Sequence, residues 1–266
     1  MRADKYLAEQ FGSRTKAAEA IEKGWVLING EPIKPKTEIS ATDEITIVCE
    51  EERFVSNGGY KLSKALKDFS FDCTDKVVVD IGASTGGFTD CVLQNGAKKV
   101  YAVDVGESLL HASLALDPRI VRMENTNARY LSVDSFHEEI DLVVTDVSFI
   151  SLRLIFPPIK EILSVNGDAF VLIKPQFETE NKNIGKSGIV HNTAHPKIVE
   201  KVLGYAIENG LYPFGIVNAP LRKGKNIEYV VRLKPTHIGS ISIKKAVEAV
   251  EYLLKNEIST KDRSAR

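Results

Sequence analysis

Asp80 closes the apolar run Val77-Val-Val-Asp80, and Asp104 closes Lys99-Val-Tyr-Ala-Val-Asp104. Asp146 closes Asp141-Leu-Val-Val-Thr-Asp146, and Lys174 closes Asp168-Ala-Phe-Val-Leu-Ile-Lys174. Between the first two acids lies a loop of small residues, Gly82-Ala-Ser84-Thr-Gly86-Gly87-Phe88. Its glycines permit a tight turn and close backbone approach to a ligand. The spacing is neither the Gly-x-Gly-x-x-Gly of a dinucleotide site nor a P-loop, which ends in Gly-Lys-Ser/Thr. Acids at two successive strand ends repel phosphate and suit a ligand with a ribose diol and a cationic amino-acid end. S-adenosylmethionine has those groups: a sulfonium, an ammonium and no phosphate. A strand turn that binds nothing is the plain alternative, and Asp104 one strand later weighs against it.

Asp146 and Lys174 add a carboxylate and an amine above the same crevice. An amine oriented by a carboxylate can take a proton from a weakly acidic hydroxyl. A sulfonium and a second lysine nearby favour its neutral form. A structural ion pair at two strand ends is the competing reading. Glu228 opens the run Glu228-Tyr-Val-Val, so an antiparallel last strand brings it to the same rim. Lys61, in Gly-Gly-Tyr-Lys61-Leu, belongs to a predicted helix before the first central strand and can lean over the mouth. Each of these two, taken alone, reads equally well as solvated charge.

The elements that must hold these residues alternate in type. Apolar runs at 77–80, 99–104, 119–123, 141–146, 168–174, 212–218 and 226–233 read as strands, the continuous ones buried on both faces. Helical patterns occupy 60–69, 88–95, 193–209 and 243–254, with Gly96 and Gly210 as stops. Strands alternating with helices predict a doubly wound α/β domain. The loop from Gln176 to Asn192, with Lys182 and Lys186, reads either as a mobile substrate-gripping lid or as plain solvated loop.

The first 52 residues follow another logic. Arg2 to Phe11 is helical in pattern, and Ser13 caps a helix from Arg14 to Lys23 that Gly24 closes. Trp25-Val-Leu-Ile runs into Asn29-Gly30, a hairpin turn, and Glu44 to Cys49 is a further strand. Two short helices and a small sheet make a separate small domain. A charged connector and Gly58-Gly59 mark the boundary.

The 266 residues are 43% apolar and 27% charged, with a net charge of −1. That is ordinary soluble composition, so any nucleic-acid surface must be local. The cysteines at 49, 73 and 91 have no metal-type spacing and read as reduced packing residues of a cytoplasmic protein. No metal is called for. No apolar stretch reaches a membrane span, and no signal peptide opens the chain.

Two resemblances follow. Arg2-x-Asp4-Lys5-Tyr-Leu-Ala and Ser13-Arg14-Thr-Lys16-Ala-Ala-x-x-Ile21-x-x-Gly24-x-Val26-x-Ile28-Asn29-Gly30 resemble the S4-type RNA-binding domain. This implies RNA phosphate contacts at Arg2, Lys5, Arg14 and Lys16. Lys61, Asp146, Lys174 and Glu228 resemble the Lys-Asp-Lys-Glu tetrad of FtsJ-class ribose 2′-O-methyltransferases. With Asp80-x-Gly82-x-Ser84-x-Gly86-Gly87-Phe88, Asp146-x-Ser148-Phe149 and Lys174-Pro-Gln-Phe-Glu behind an S4-type domain, nearly the whole chain is similar to the TlyA, or haemolysin A-like, family. Gly188-Ile-Val-His191-Asn192 departs from that family's wording, which has Arg-Asp after Ile-Val.

The resemblance implies a Rossmann-like S-adenosylmethionine-dependent methyltransferase fold, with a seven-stranded, mostly parallel sheet whose last strand is antiparallel. It implies domains at 1–52 (S4-type) and 60–257 (methyltransferase); the composition between and after them reads as a linker at 53–59 and a disordered polar tail at 258–266. The expected cofactor residues are Asp80, Gly82, Ser84, Gly86, Gly87, Phe88, Asp104, Val105, Asn127 and Asp146. The expected activity is cytidine 2′-O-methylation of 16S or 23S ribosomal RNA, with ribosomal subunits as partners and no obligate protein partner. A non-catalytic RNA- or ribosome-binding factor that keeps the fold is the alternative. A membrane-active haemolysin has no span, export signal or basic amphipathic helix to support it.

Overall fold

A computed structural model describes residues 1–22, 24–40, 42–47, 53–222 and 224–263. The chain forms two compact units, Met1–Arg53 and Phe54–Arg266.

In the first unit, α1 (Ala3–Tyr6) and α2 (Arg14–Glu22) precede β1 (Val26–Ile28), β2 (Glu31–Pro32) and β3 (Ile45–Ile47), which pair antiparallel in the order β2-β1-β3. Asn29 and Gly30 turn the β1–β2 hairpin at φ +51° and +82°, the left-handed pair that this turn demands. Ala3, Leu7, Ala17, Ile21, Val26, Ile28 and Ile39 make the core. The first helix is shorter than its pattern: after one turn the chain proceeds in turns to Gly12, at φ +75°. Leu7 is still buried, whereas Tyr6 is exposed. Cys49 and the acidic run 50–52 lie outside the described residues.

The second unit runs α3 (Asn57–Asp68), β4 (Val77–Ile81), α4 (Gly87–Gln94), β5 (Lys99–Val103), α5 (Ala112–Ala115), β6 (Ile120–Met123) and β7 (Ile140–Thr145). It continues with α6 (Phe156–Ile162), β8 (Leu163–Ile173), α7 (Pro175–Glu178), α8 (His195–Glu208), β9 (Tyr212–Asn218), β10 (Tyr229–Lys234) and α9 (Ile243–Arg263). The seven strands lie in the order β6-β5-β4-β7-β8-β10-β9. The five from β6 to β8 are parallel, and β10 runs antiparallel between β8 and β9. A core covers each face. Val79, Ile81, Val143 and Val171 point to one, and Val78, Leu142, Val144 and Phe170 to the other. Two buried faces explain why these strands read as unbroken apolar runs.

Phe54 to Gly59, expected as a linker, belongs structurally to this second unit. Phe54 is buried in its core, in edge contact with Tyr60 at 5.1 Å, and the Val55 N–H donates to Asp90 Oδ2 at 2.8 Å. Ser56 caps α3 by accepting from the Gly58 N–H, so Gly58 and Gly59 are helical residues rather than a hinge. Space requires glycine at 59, where a Cβ would overlap the Phe54 ring. The tail expected as disordered from 258 is helical to Arg263, because no Gly or Pro follows Leu254 to stop the helix. Among the described residues, no helix is long and apolar enough to cross a membrane.

Candidate active site

The register of β10 builds the rim. Tyr229 pairs with Ile173, so the residues just beyond, Glu228 and Lys174, meet at the carboxyl end of β8. Asp146 follows the last residue of β7, and Lys61 comes in on the second turn of α3. The four side chains join in one line. Lys61 Nζ lies 2.8 Å from Glu228 Oε2 and 3.3 Å from Asp146 Oδ2, and Lys174 Nζ lies 2.5 Å from Asp146 Oδ1. Lys174 also donates to Ser148 Oγ at 2.7 Å. Gln176 Nε2 reaches Glu228 Oε1 at 3.4 Å, bracing the far end.

The two lysines are not equivalent. Burial opposes the charge on Lys61, but Asp146 and Glu228 outweigh it and hold that ammonium above the ordinary lysine value. Lys61 is therefore a fixed cation. Lys174, only 8% exposed, faces one carboxylate and one hydroxyl and borders a cavity of about 170 Å³.

The glycine loop forms the other wall of that cavity. Gly82, Ser84 and Gly86 take φ of +81°, +48° and +92°, turning the chain abruptly from β4 into α4. Gly82, Ser84, Gly87 and Phe88 line the cavity together with Asp146 and Ser148. A second cavity, about 580 Å³, shares Gly82, Ser84, Asp146 and Ser148 and extends past Asp104, Val105 and Asn127. Asp104 binds the loop to itself, accepting from the Ser84 N–H at 2.8 Å and the Gly106 N–H at 2.9 Å. Asn127 caps a short 3-10 turn by accepting from the Arg129 N–H while it lines the cavity.

Two residues expected to touch a cofactor line neither cavity. Gly86 serves the turn, where a Cβ would collide with Leu114 and Leu110. Asp80 is wholly buried beneath the loop, accepting from Thr89 Oγ1 at 2.7 Å, with no partner for its second oxygen among the described residues. Burial, seconded by Asp146 and Asp104, raises its carboxyl to about 7, against the pull of Thr89. The adjoining hollows form an acid-rimmed site walled by backbone. It fits a cationic nucleoside better than a phosphate ester.

Several supports gain their roles only from tertiary placement. Ser148 meets Lys174 only because β7 and β8 are neighbours. Glu178, buried after Lys174, accepts from the Leu152 N–H at 2.7 Å and Ser151 Oγ at 2.8 Å, pinning the loop that carries Ser148. His195 starts α8 and is buried against the Tyr229 hydroxyl at 2.9 Å, away from the cavities. The 176–192 loop is braced: Asn226 accepts from the Val190 N–H and donates to the Gly188 carbonyl.

In the first unit, buried Asp4 gathers two cations, with Arg2 Nη2 at 2.7 Å and Arg14 Nε at 3.1 Å. Lys5 and Lys16 are exposed.

Comparison with known proteins gives two family matches: FtsJ-like methyltransferase over residues 54–234, and S4 domain over residues 1–45. The 16S/23S rRNA (cytidine-2′-O)-methyltransferase TlyA of Mycobacterium tuberculosis is 40% identical over 90% of this chain and 90% of its own length. A Bacillus subtilis protein named as a candidate rRNA methyltransferase, YqxC, is 42% identical over 83% of this chain and 80% of its own. A solved Streptococcus thermophilus protein, described as a candidate hemolysin, superposes with a TM-score of 0.72. It is 39% identical, with 97% of this chain and 98% of that one covered.

Proposed function

The chain belongs to the FtsJ-like methyltransferase family, in its S4-bearing TlyA branch, and from that premise we propose that it methylates a ribose 2′-hydroxyl of ribosomal RNA, at a cytidine of the small or large subunit. The methyl donor is S-adenosylmethionine, whose sulfonium supplies a methyl carbon already activated for displacement. Its nucleoside end would lie along Asp104, Val105 and Asn127, and its methyl end near Asp146 and Lys174. The RNA would be gripped in the cytoplasm by Arg2, Lys5, Arg14 and Lys16 of the S4 domain.

A ribose hydroxyl is a poor nucleophile until its proton is taken. Lys174 is the acceptor of that proton. Asp146 holds the Lys174 amine in place, and Lys61, pinned between Asp146 and Glu228, keeps the Asp146 carboxylate oriented. Glu228 completes the line by neutralising Lys61. With the donor already activated, positioning carries much of the rate. The observation on which this rests is the unbroken contact from Glu228 through Lys61 and Asp146 to Lys174, ending on a glycine-walled cavity.

The test is transfer of labelled methyl groups to ribosomal subunits that lack the modification, followed by mapping. The expected product is a 2′-O-methylcytidine, with Lys174→Ala and Asp146→Ala each slower by about 10²–10⁴-fold. Label on a base rather than a ribose would refute the reading.

A further inference from the structure

The polar contacts of Lys174 bear on the route of the proton. Among the described residues its Nζ donates to Ser148 Oγ at 2.7 Å and to the Asp146 backbone carbonyl at 3.4 Å, and it forms an ion pair with Asp146 Oδ1 at 2.5 Å. A charged ammonium has three N–H donors, which here face a hydroxyl, a carbonyl and a carboxylate. A working base must be the neutral amine, with two N–H groups and one lone pair. A carboxylate and a carbonyl can only accept, so neither can face that lone pair. Among the described residues in contact with it, the Ser148 hydroxyl alone can reverse roles and donate to it. In the neutral state the two N–H groups therefore go to Asp146, and the lone pair goes to Ser148.

Access points the same way. Lys174 is 8% exposed, while Ser148 is exposed and lines both cavities. Resting on the ribose-methylation reading above, we propose that Ser148 is a catalytic residue that relays the substrate proton to Lys174. The O2′–H proton passes to Ser148 Oγ as the proton of Ser148 passes to Lys174 Nζ. The O2′ electron pair forms the bond to the methyl carbon, and the carbon–sulfur pair leaves with the sulfur, which becomes neutral. Serine ends as it began, and Lys174 ends as an ammonium that returns its proton to water.

The experiment is single-turnover methyl transfer by the full chain, with unmodified subunits and saturating S-adenosylmethionine. Ser148→Ala is expected to slow the step by about 10²-fold or more while leaving the Kd for S-adenosylmethionine within about twofold. Ser148→Thr, which restores a hydroxyl, is expected to recover most of the rate. In mixtures of light and heavy water the unmodified chain should give a bowed dependence of rate on deuterium fraction, as two moving protons require. A Ser148→Ala rate above half of the original, or a linear or flat dependence in the unmodified chain, overturns the relay. Failure of the unmodified chain to form any 2′-O-methyl nucleotide overturns the parent reading and the relay together. Equal product from the unmodified chain and Ser148→Ala overturns the relay alone.

Discussion

Asp80 sits where its charge is least welcome, fully buried, with Thr89 Oγ1 on one oxygen and, among the described residues, no partner on the other. Its carboxyl is raised from 3.8 to about 7, chiefly by burial. A raised acid binds its proton more tightly in the folded chain than in the unfolded one. The stability this brings is complete below about pH 3.8 and is lost as pH rises through about 7, by roughly 1.4 kcal/mol per unit across that window. Asn at this position carries no charge at any pH. The melting temperature of Asp80→Asn should therefore gain on the unmodified chain between pH 4 and 7 and hold level above. A constant difference across pH 4–8 would show that Asp80 ionises normally. As a strand-end acid, Asp80 was legible in the sequence; its complete burial was not, since that depends on Thr89 and the loop folding over it. Ser148 illustrates the converse, a residue visible within a motif whose partner lies 26 positions away across two strands.

At the level of elements, the close approach of α3 to α4 fixes where Lys61 stands. Gly87 makes that approach possible: a Cβ there would overlap Ser56 Oγ and stand 3.0 Å from Gly59 N and 3.1 Å from Gly58 Cα. Backbone atoms cannot yield as a flexible side chain does. Gly87→Ala is thus expected to push the start of α3 outward and cost about 1–3 kcal/mol. Lys61, one turn on, should shift off Asp146. The measurements are thermal unfolding and methyl transfer, and both should fall; full activity at unchanged stability would show that α3 does not set Lys61. The strands were readable because double burial leaves uninterrupted apolar runs. The glycines at 58 and 59 were read as punctuation because composition cannot distinguish a hinge from a helix that needs room for its neighbour. Similarly, Glu228 is ordinary in sequence and gains its place only from the antiparallel insertion of β10 beside β8.

Across the whole molecule, the division falls at Arg53/Phe54, close to the composition shift in the sequence, but Phe54 itself lies on the methyltransferase side. What moved it there is burial of its ring under α3, a tertiary fact with no local marker. The line of four ionic side chains at the rim has a consequence on this larger scale. Two lysines answer two carboxylates, so the quartet is electrically silent beyond a few ångströms, and the chain carries a net charge of only −1. A polyanion approaching from solution is therefore not drawn in by the reacting centre; under the proposed function, that pull comes from exposed cations such as Lys5, Lys16 and Arg14 of the first unit. Ionic strength should then divide the kinetics cleanly. Added salt should raise KM for RNA steeply, as counterions compete for the phosphates, and leave kcat nearly level because the paired charges are already screened by one another. A kcat that falls in step with rising salt would place the attraction in the crevice instead.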